Sequence, residues 1–150
     1  MNTIGSLCSG IGGLELAVGG TPLWVAENND AAGAVLAARF PGVPNRGDWT
    51  DPDVWPNLDP VDIIVAGLPC QPVSNAGNQK GTDDDRWLYD DLHRLLGHMA
   101  DRGNFPMLFL ENVSAIRTVD GGAALRRTIR GLASLGWVGR YGCVRASDVG

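Results

Sequence analysis

The feature that most constrains the fold of this chain is the apolar run VDIIVA at residues 61–66. A nearly continuous apolar run of this length, interrupted only by Asp62, is typical of a parallel strand buried on both faces. Apolar segments at residues 4–8, 23–26 and 107–110 predict three further strands, the last of them also buried. Helical spacing of apolar residues predicts helices near residues 14–18, 30–40, 87–99 and 123–135. Strands that alternate with helices indicate an α/β domain with a doubly wound, mostly parallel sheet.

Several local features of this pattern are also predicted. Asp30 is expected to cap the second helix, and a short strand is expected just before Asp48. A long polar loop is expected over residues 68–85. The last helix is expected to turn three apolar side chains inward before Gly136 ends it: Leu125, Ile129 and Leu132.

Composition limits the class of protein. Hydrophobic residues make up 44% of the 150 residues and charged residues 19%, which is typical of one ordinary globular domain. The longest apolar stretch is too short to cross a bilayer, and the amino terminus lacks the pattern of a secretory signal. Three widely spaced cysteines lack metal-type pairing. They favour a reduced, cytoplasmic protein with free thiols and no metal site.

Charge is distributed unevenly along the chain. The formal net charge is −5, which argues against strong autonomous binding to nucleic acid. The last thirty residues, however, carry five arginines against Asp148 alone. A solvated helix face explains most such clusters, so the arginines are only a hint of a polyanion or an acidic partner.

The residues that follow each strand are the ones to examine, because ligands of doubly wound sheets bind beyond the carboxyl ends of the strands. The first strand runs into a glycine-rich turn, Gly10-Ile11-Gly12-Gly13, which lets a ligand approach the backbone. Glu15 occupies the place where a dinucleotide fingerprint needs its last glycine, so the sequence disfavours a nicotinamide cofactor. On its own the turn predicts either a cofactor site or simply a tight turn.

Two acidic residues follow the next strand ends. Glu27 stands where a carboxylate can bind a pair of ribose hydroxyls, and Asp48 stands where one can accept from an exocyclic amine. Each alone is most simply a cap or a turn residue. Because Glu27 and Asp48 come at successive strand ends after a glycine turn, together they favour a ligand that contains a nucleoside.

A thiol and a carboxyl group follow the last two strands. Cys70 opens the polar loop after the strongest strand, which favours a nucleophile over a small buried side chain. Glu111 ends the strand near residues 107–110, and capping of the next helix is an equally good interpretation of that residue alone. A thiol and a carboxyl beside a nucleoside cofactor indicate covalent catalysis with an acid partner.

With these residues in place, the chain resembles the C5-cytosine DNA methyltransferases. Three motifs carry the resemblance, in order and at strand ends: Ser9-Gly10-Ile11-Gly12-Gly13, Pro69-Cys70-Gln71 and Glu111-Asn112-Val113. It covers essentially the whole chain, and residues 143–150 resemble the strand and turn before the family's arginine motif. It implies a Rossmann-like fold of the type found in S-adenosylmethionine-dependent methyltransferases, incomplete at its carboxyl end.

The resemblance implies a cofactor and a mechanism. S-adenosylmethionine would lie over the glycine turn, with Glu27 on its ribose and Asp48 on its adenine amine. Cys70 would add to carbon 6 of a flipped-out cytosine in DNA, and Glu111 would hydrogen-bond the ring nitrogen. Asn112 would hold the loop, and Ser74 or Arg86 would contact phosphate. The implied catalytic residues are Cys70, Gln71, Glu111 and Asn112; the implied cofactor residues are Cys8, Gly10, Ile11, Gly12, Gly13, Glu27, Asn28, Asp48, Trp49, Pro69 and Leu88.

The chain also departs from the family. Cys8 and Asn28 stand where the family often has aromatic residues, which are better suited to stacking on the cofactor. Residues 1–150 are expected to form a partial cofactor-binding and catalytic domain without a target-recognition domain. A complementing subunit or the missing carboxy-terminal part would then be needed for activity. Self-association is the other interaction expected, and the context is prokaryotic or phage, with a restriction-modification role.

Four alternatives remain open on the sequence. The chain is either the catalytic part described above or a non-catalytic, truncated relative. An RNA cytosine methyltransferase would use the same nucleophile, and the sequence does not separate DNA from RNA. A nicotinamide dehydrogenase and a cysteine protease are weaker, because of Glu15 and because His93 and His98 lie on a predicted helix without a partner pattern.

Overall fold

Four parallel strands form a single sheet in this computed structural model, which describes residues 1–73 and 87–148. The strands are β1 (Thr3–Leu7), β2 (Thr21–Ala26), β3 (Ile63–Gly67) and β4 (Met107–Glu111), and their order across the sheet is β2-β1-β3-β4. The described helices are α1 (Gly13–Val18), α2 (Asp30–Arg39), α3 (Tyr89–Asp101) and α4 (Ala123–Ser134). Short 3₁₀ turns occur at Pro52–Asn57, Ser114–Arg117, Val119–Gly122 and Ala146–Asp148. The predicted α/β class and parallel sheet are confirmed.

The order of the strands reverses at β1. The chain passes from β1 to β2 on one side and then crosses to β3 on the other side. In sheets of this kind the crevice between the two directions is where ligands bind, outside the carboxyl ends of the strands. The register places Leu7 beside Ala66 and Gly67 beside Glu111, so β1, β3 and β4 end at nearly the same level.

The sheet is covered on both faces, but unequally. The larger core cluster joins Leu7 and Ile64 of the sheet to apolar side chains of α3, among them Leu95 and Leu96, all of them fully buried. A smaller cluster on the other face includes Ile4 and Val65 with side chains of α1 packed against it. The apolar character of β3 on both faces matches this double cover, whereas β1 carries the buried Ser6, whose hydroxyl donates to Glu15 of α1.

The prediction that β4 is buried is wrong. Met107 is 66% exposed and Phe109 is 47% exposed, whereas the intervening leucines are half-buried. The strand lies at an edge of the described sheet, and its outward side chains have no helix over them. The apolar run therefore predicted a strand, but it did not predict whether another element packs over that strand. The residue types that favour strands are largely the same as those that are buried.

Four smaller predictions also need correction. Asn29, not Asp30, caps α2, since its side chain accepts a hydrogen bond from the Ala32 N–H at 3.0 Å. The strand expected before Asp48 is reduced to one bridge between Val25 and Asn45. Leu125 and Leu132 pack against the core as predicted, but Ile129 is 41% exposed, because the fully buried residue of α4 is Ala124. Residues 143–148 contain a 3₁₀ turn and no strand, and residues 149–150 lie outside the described ranges.

Most of the polar loop expected over residues 68–85 cannot be compared with the structure, because residues 74–86 lie outside the described part. Within the described ranges, no helix combines the length and the apolar character that a membrane crossing requires.

A close contact between two strands leads to a stability prediction. Gly5 lies beside Trp24 in the register, and a Cβ atom on Gly5 would fall inside the fully buried indole ring. The ring is held in place because its Nε1–H donates to the Asp59 carbonyl at 2.9 Å. We expect Gly5→Ala to lower the free energy of unfolding by about 1–3 kcal/mol through overpacking.

Urea unfolding followed by far-UV circular dichroism measures this change. Gly139→Ala is the matched control, because a Cβ atom there would meet open space. The control should shift stability by no more than about 0.5 kcal/mol. Equal stability of the two variants would contradict the packing argument.

Candidate active site

The carboxyl ends of the strands surround a cavity of about 660 Å³. That volume is within the usual range for a site that holds a cofactor-sized ligand. Residues that follow each of the four strands line it, so one cavity collects side chains that are far apart in the sequence. The predicted site residues among its lining are Cys8, Glu27, Asn28, Asp48, Trp49, Pro69, Cys70, Gln71, Leu88 and Glu111.

The glycine turn lies beside the cavity without lining it. Gly10 and Gly12 have φ angles of 55° and 86°, a left-handed backbone that glycine adopts at little cost. Gly12 is the N-cap of α1, Gly13 is its first residue, and the Ile11 side chain is 56% exposed. The turn is joined to the cavity through one hydrogen bond, from the Gly10 N–H to Glu27 Oε2 at 2.8 Å.

Glu27 is held rigidly at the end of β2. Its Oε2 accepts from Gly10 and its Oε1 accepts from the Asn29 N–H, each at 2.8 Å. Asn45 clamps the backbone of Glu27, accepting from its N–H at 3.0 Å and donating to its carbonyl at 2.8 Å. A carboxylate has about four lone-pair positions, so each oxygen can still accept from a ligand hydroxyl.

Asp48 presents a second carboxylate to the same cavity. Its Oδ1 accepts from the Thr50 N–H at 3.0 Å and from the Thr50 hydroxyl at 2.7 Å. These two bonds form a local turn that orients the side chain. Oδ2 has no hydrogen-bond partner among the described residues, which leaves it available to a donor from a ligand.

Cys8 and Trp49 form the wall between these two carboxylates. Cys8 has a φ of 51°, a left-handed backbone that is uncommon for a residue other than glycine. The Trp49 indole is 3% exposed, and its Nε1–H points at the Cys8 sulfur at 3.4 Å. Burial raises the pKa of the Cys8 thiol, which the Trp49 hydrogen bond only partly offsets, so this thiol stays neutral.

Cys70 and Glu111 occupy the other end of the cavity. Cys70 is half-buried and begins a turn in which its carbonyl accepts from the Val73 N–H at 3.0 Å. Glu111 is exposed at the end of β4, and its Oε2 lies beside Gly67, three residues before Cys70 in the chain. A thiol and a carboxyl group therefore line the same cavity as the carboxylates of Glu27 and Asp48.

Asn112 does not line the cavity but joins the segments that do. Its Nδ2 donates to the Leu68 carbonyl at 3.1 Å and to the Tyr89 hydroxyl at 3.3 Å, and its Oδ1 accepts from the Val113 N–H at 2.8 Å. Leu68 precedes Cys70 by two residues. The amide thus ties the segment that carries the thiol to the segment that carries Glu111.

Tyr89 is a site residue that the sequence analysis missed. It is 8% exposed, and burial raises its pKa to about 12, although the Asn112 hydrogen bond opposes that shift and the nearby Glu111 carboxylate adds to it. Its only sequence signal is its position, three and seven residues before two leucines on the inward face of α3. That spacing predicts a core residue and says nothing of its hydroxyl.

Two predicted phosphate contacts, Ser74 and Arg86, lie outside the described residues. In the part that the structure describes, no group of three or more His, Cys, Asp or Glu side chains is placed to hold a metal ion.

Comparison with known proteins identifies one family. The family model described as C-5 cytosine-specific DNA methylase matches residues 2–150. The Type II methyltransferase M2.BsuMI of Bacillus subtilis (strain 168) is 34% identical over 149 residues, which are 97% of this chain and 38% of that protein. M.NgoBI of Neisseria gonorrhoeae is 34% identical over 150 residues, with 96% of this chain and 45% of that protein covered. The chain thus spans less than half the length of these relatives.

A third relative is named for a different base. The DNA N-6-adenine-methyltransferase of Escherichia phage P1 is 41% identical over 88 residues, which are 55% of this chain and 12% of that protein.

Solved structures match the fold. DNMT2 from Spodoptera frugiperda, in a mutant form, superposes with a TM-score of 0.64 at 24% identity, covering 90% of this chain and 41% of that one. The methyltransferase EhMeth of Entamoeba histolytica has a TM-score of 0.61 at 17% identity, with coverages of 89% and 44%. The fold of the chain is therefore the one that these two methyltransferases have.

The raised pKa of Tyr89 leads to a prediction about alkaline stability. In the unfolded chain Tyr89 loses its proton near the ordinary value of 10.0, whereas the folded chain keeps it up to about 12. The contribution of Tyr89 to the free energy of unfolding is therefore fully present below pH 10 and is lost as the pH rises towards 12. The part of the decline that is due to Tyr89 should be on the order of 2 kcal/mol.

Urea unfolding at a series of pH values between 9 and 12 measures this decline. Tyr89→Phe has no phenol to ionise and should show a shallower decline than the unmodified chain. Tyr141→Phe is the control, because Tyr141 is 69% exposed and outside the site. The same slope for both variants would rule out a protonated, buried Tyr89.

Proposed function

The chain belongs to the C-5 cytosine-specific DNA methylase family, and we propose from that premise that it transfers a methyl group from S-adenosylmethionine to carbon 5 of cytosine in DNA. The observation that carries this proposal is the composition of one cavity. Glu27 and Asp48 line one end, and Cys70 and Glu111 line the other. The first pair suits a nucleoside, and the second pair suits covalent addition to a ring.

The residues around Glu27 and Asp48 fit the cofactor. Glu27 keeps lone pairs free for two ribose hydroxyls, and Asp48 Oδ2 is free to accept from the adenine amine. Leu88 and the backbone near Ile11 would contact the adenine and the methionine end, and the left-handed glycines keep side chains away from it. When bound, S-adenosylmethionine supplies an electrophilic methyl group. Cys8 offers less stacking surface to the adenine than an aromatic residue, so we expect weak affinity.

Cys70 would act as the nucleophile. As a thiolate it adds to carbon 6 of the cytosine, and the electron pair of the 5,6 double bond becomes available at carbon 5. Glu111 hydrogen-bonds the ring nitrogen and stabilises the charge that develops there. After carbon 5 has taken the methyl group, loss of its proton to water restores the double bond and expels Cys70 as a thiolate. Gln71 flanks the nucleophile, and Asn112 holds both segments in register.

The cytosine must leave the DNA duplex for this reaction. Carbon 6 of a stacked, paired base is out of reach of a thiol in a cavity, so the base has to be flipped out. The thiol of Cys70 in the cavity favours cytosine over adenine as the base that is methylated, although one relative is named for adenine. The exocyclic amine of adenine carries its own lone pair and needs no covalent activation, whereas carbon 5 of cytosine becomes nucleophilic only after addition at carbon 6.

Recognition of the target sequence would lie outside this chain's 150 residues. We propose that residues 1–150 form the cofactor-binding and catalytic domain, and that the DNA-reading part is supplied by further sequence or by a complementing chain. Catalysis depends on it, because Cys70 and Glu111 act only on a base that is held against them within a fraction of an ångström.

The first test of this proposal concerns the cofactor. Glu27→Ala should weaken the binding of S-adenosylmethionine by about 1–3 kcal/mol, the cost of losing hydrogen bonds to a charged acceptor. Isothermal titration calorimetry measures the affinity. Asp101→Ala also removes an exposed acidic side chain, at the far end of α3, and should leave the affinity unchanged. No binding to the folded, unmodified chain at millimolar cofactor would contradict the proposed site.

The second test concerns the nucleophile. In a preparation that includes the DNA-reading part, Cys70→Ser should lower methyl transfer by at least about 10³-fold, because serine is a far poorer nucleophile near neutral pH. Its cofactor affinity should stay the same. Cys143→Ser, which changes an exposed thiol outside the cavity, should retain full activity. Comparable rates for the two variants, measured as tritiated methyl groups transferred to DNA, would show that Cys70 is structural.

A further inference from the structure

The charges of this chain are segregated along its sequence. Residues 1–112 contain six basic and fifteen acidic side chains, whereas residues 113–150 contain six arginines and two aspartates. Half of those arginines, Arg126, Arg127 and Arg130, lie on α4. A chain that is acidic as a whole thus carries one strongly basic helix.

The α4 arginines line a second cavity. It has a volume of about 560 Å³ and lies between α3 and α4, separate in its lining from the cavity that contains Cys70. Its described lining adds His93 and Ser134, whose Nε2 and Oγ atoms are 3.3 Å apart. Asp90 is the acidic member of this lining, and it pairs with Arg127 at 2.5 Å. We refer to this cavity as the arginine groove.

The positions of these arginines are unfavourable for the helix itself. Arg130 follows Arg126 by four residues and Arg127 by three, so like charges face one another along one side of α4. Arg126 and Arg127 also lie near the helix start, at the positive end of its dipole, and α4 contains no acidic residue. Helix stability alone favours the opposite arrangement. An anion outside the helix would relieve the repulsion.

The arginine groove lies next to the proposed catalytic cavity. Tyr89 lines the groove, and its hydroxyl is the partner of Asn112, which holds the segment that carries Cys70. The first residues of α3 and α4 lie at the edge where the strands end, because both helices run back across the sheet after a strand. An extended anion in the groove would therefore continue towards the base in the cavity.

We propose that the arginine groove binds backbone phosphates of duplex DNA that flank the cytosine at Cys70. A guanidinium group has five N–H donors, so Arg126 and Arg127 keep donors for phosphate oxygens beside their bonds to the Gly121 carbonyl and to Asp90. Arg130 adds a third guanidinium group to the same lining. Arginines one helical turn apart can each contact a different phosphate of a regularly spaced backbone. A single carboxylate offers only one group for all of them. The inference rests on the proposed function for the identity of the polyanion, and its residues are separate from those of the cofactor and the nucleophile.

The test is the salt dependence of DNA binding by the full chain. A fluorescent duplex of about 20 base pairs is titrated at several salt concentrations, because each phosphate contact contributes roughly −0.9 to the slope of log affinity against log salt. Arg126→Gln combined with Arg130→Gln should reduce the magnitude of the slope by about 2 and weaken binding about tenfold or more at low salt. Arg102→Gln combined with Arg140→Gln changes the net charge equally at exposed positions outside the groove and should retain the slope.

Calorimetry with S-adenosylmethionine separates this inference from the proposed function. If cofactor affinity is intact in every variant but the two double variants have equal salt slopes, the groove does not bind DNA and the proposed function stands. Absence of DNA binding by the unmodified chain at the lowest salt overturns the inference as well. A competition experiment gives another outcome that overturns the inference. If polyglutamate displaces the labelled duplex at a lower concentration of charges than unlabelled DNA does, the groove binds an acidic protein and not DNA. If the salt slopes change as expected while no cofactor binds, the proposed function fails and the phosphate site remains.

Discussion

The parallel pairing of β1 with β3, and of β3 with β4, is the interaction on which the rest of this structure depends. Each strand contributes only a few residues, but the register brings Leu7, Gly67 and their neighbours to one edge. Cys8 follows β1, Cys70 comes three residues after β3 and Glu111 is the last residue of β4. Residues separated by more than one hundred positions therefore share a cavity. The double cover of β1 and β3 by helices makes this edge rigid, because a shift of one residue would turn buried apolar side chains towards the opposite face.

A small set of partly buried hydrogen bonds holds the segments at this sheet edge together. Asn112 joins the carbonyl of Leu68 to the hydroxyl of Tyr89, and Glu27 joins the glycine turn to the end of β2. These groups are partly removed from water, so losing one partner costs more than the bond itself contributes. The loops that carry Cys70 and Glu111 are in this way held by side chains that do not take part in the proposed chemistry.

Two features characterise the surface of the described residues: charges of opposite sign are segregated, and apolar side chains of β4 are exposed. Acidic residues dominate residues 1–112, and arginines gather on α4. Met107 and Phe109 leave an apolar stripe on β4, on the face of the sheet opposite to α4. A basic helix and an uncovered edge strand both lower the stability of the chain in isolation.

The sequence by itself determined the strand and helix pattern, the parallel sheet and the residues after each strand end, because periodicity and glycine turns are local properties. It also carried the motifs around Gly10, Cys70 and Glu111 that lead to the family. Only the tertiary structure decided which side chains are covered and which polar groups meet. The exposure of Phe109 and Ile129 depends on whether another element packs over them, and the hydroxyl of Tyr89 has a role only because α3 places it against Asn112. Burial and hydrogen bonding between distant segments are not encoded in local spacing, and that is why the pattern identified the strand ends but not the hydrogen bonds that join them.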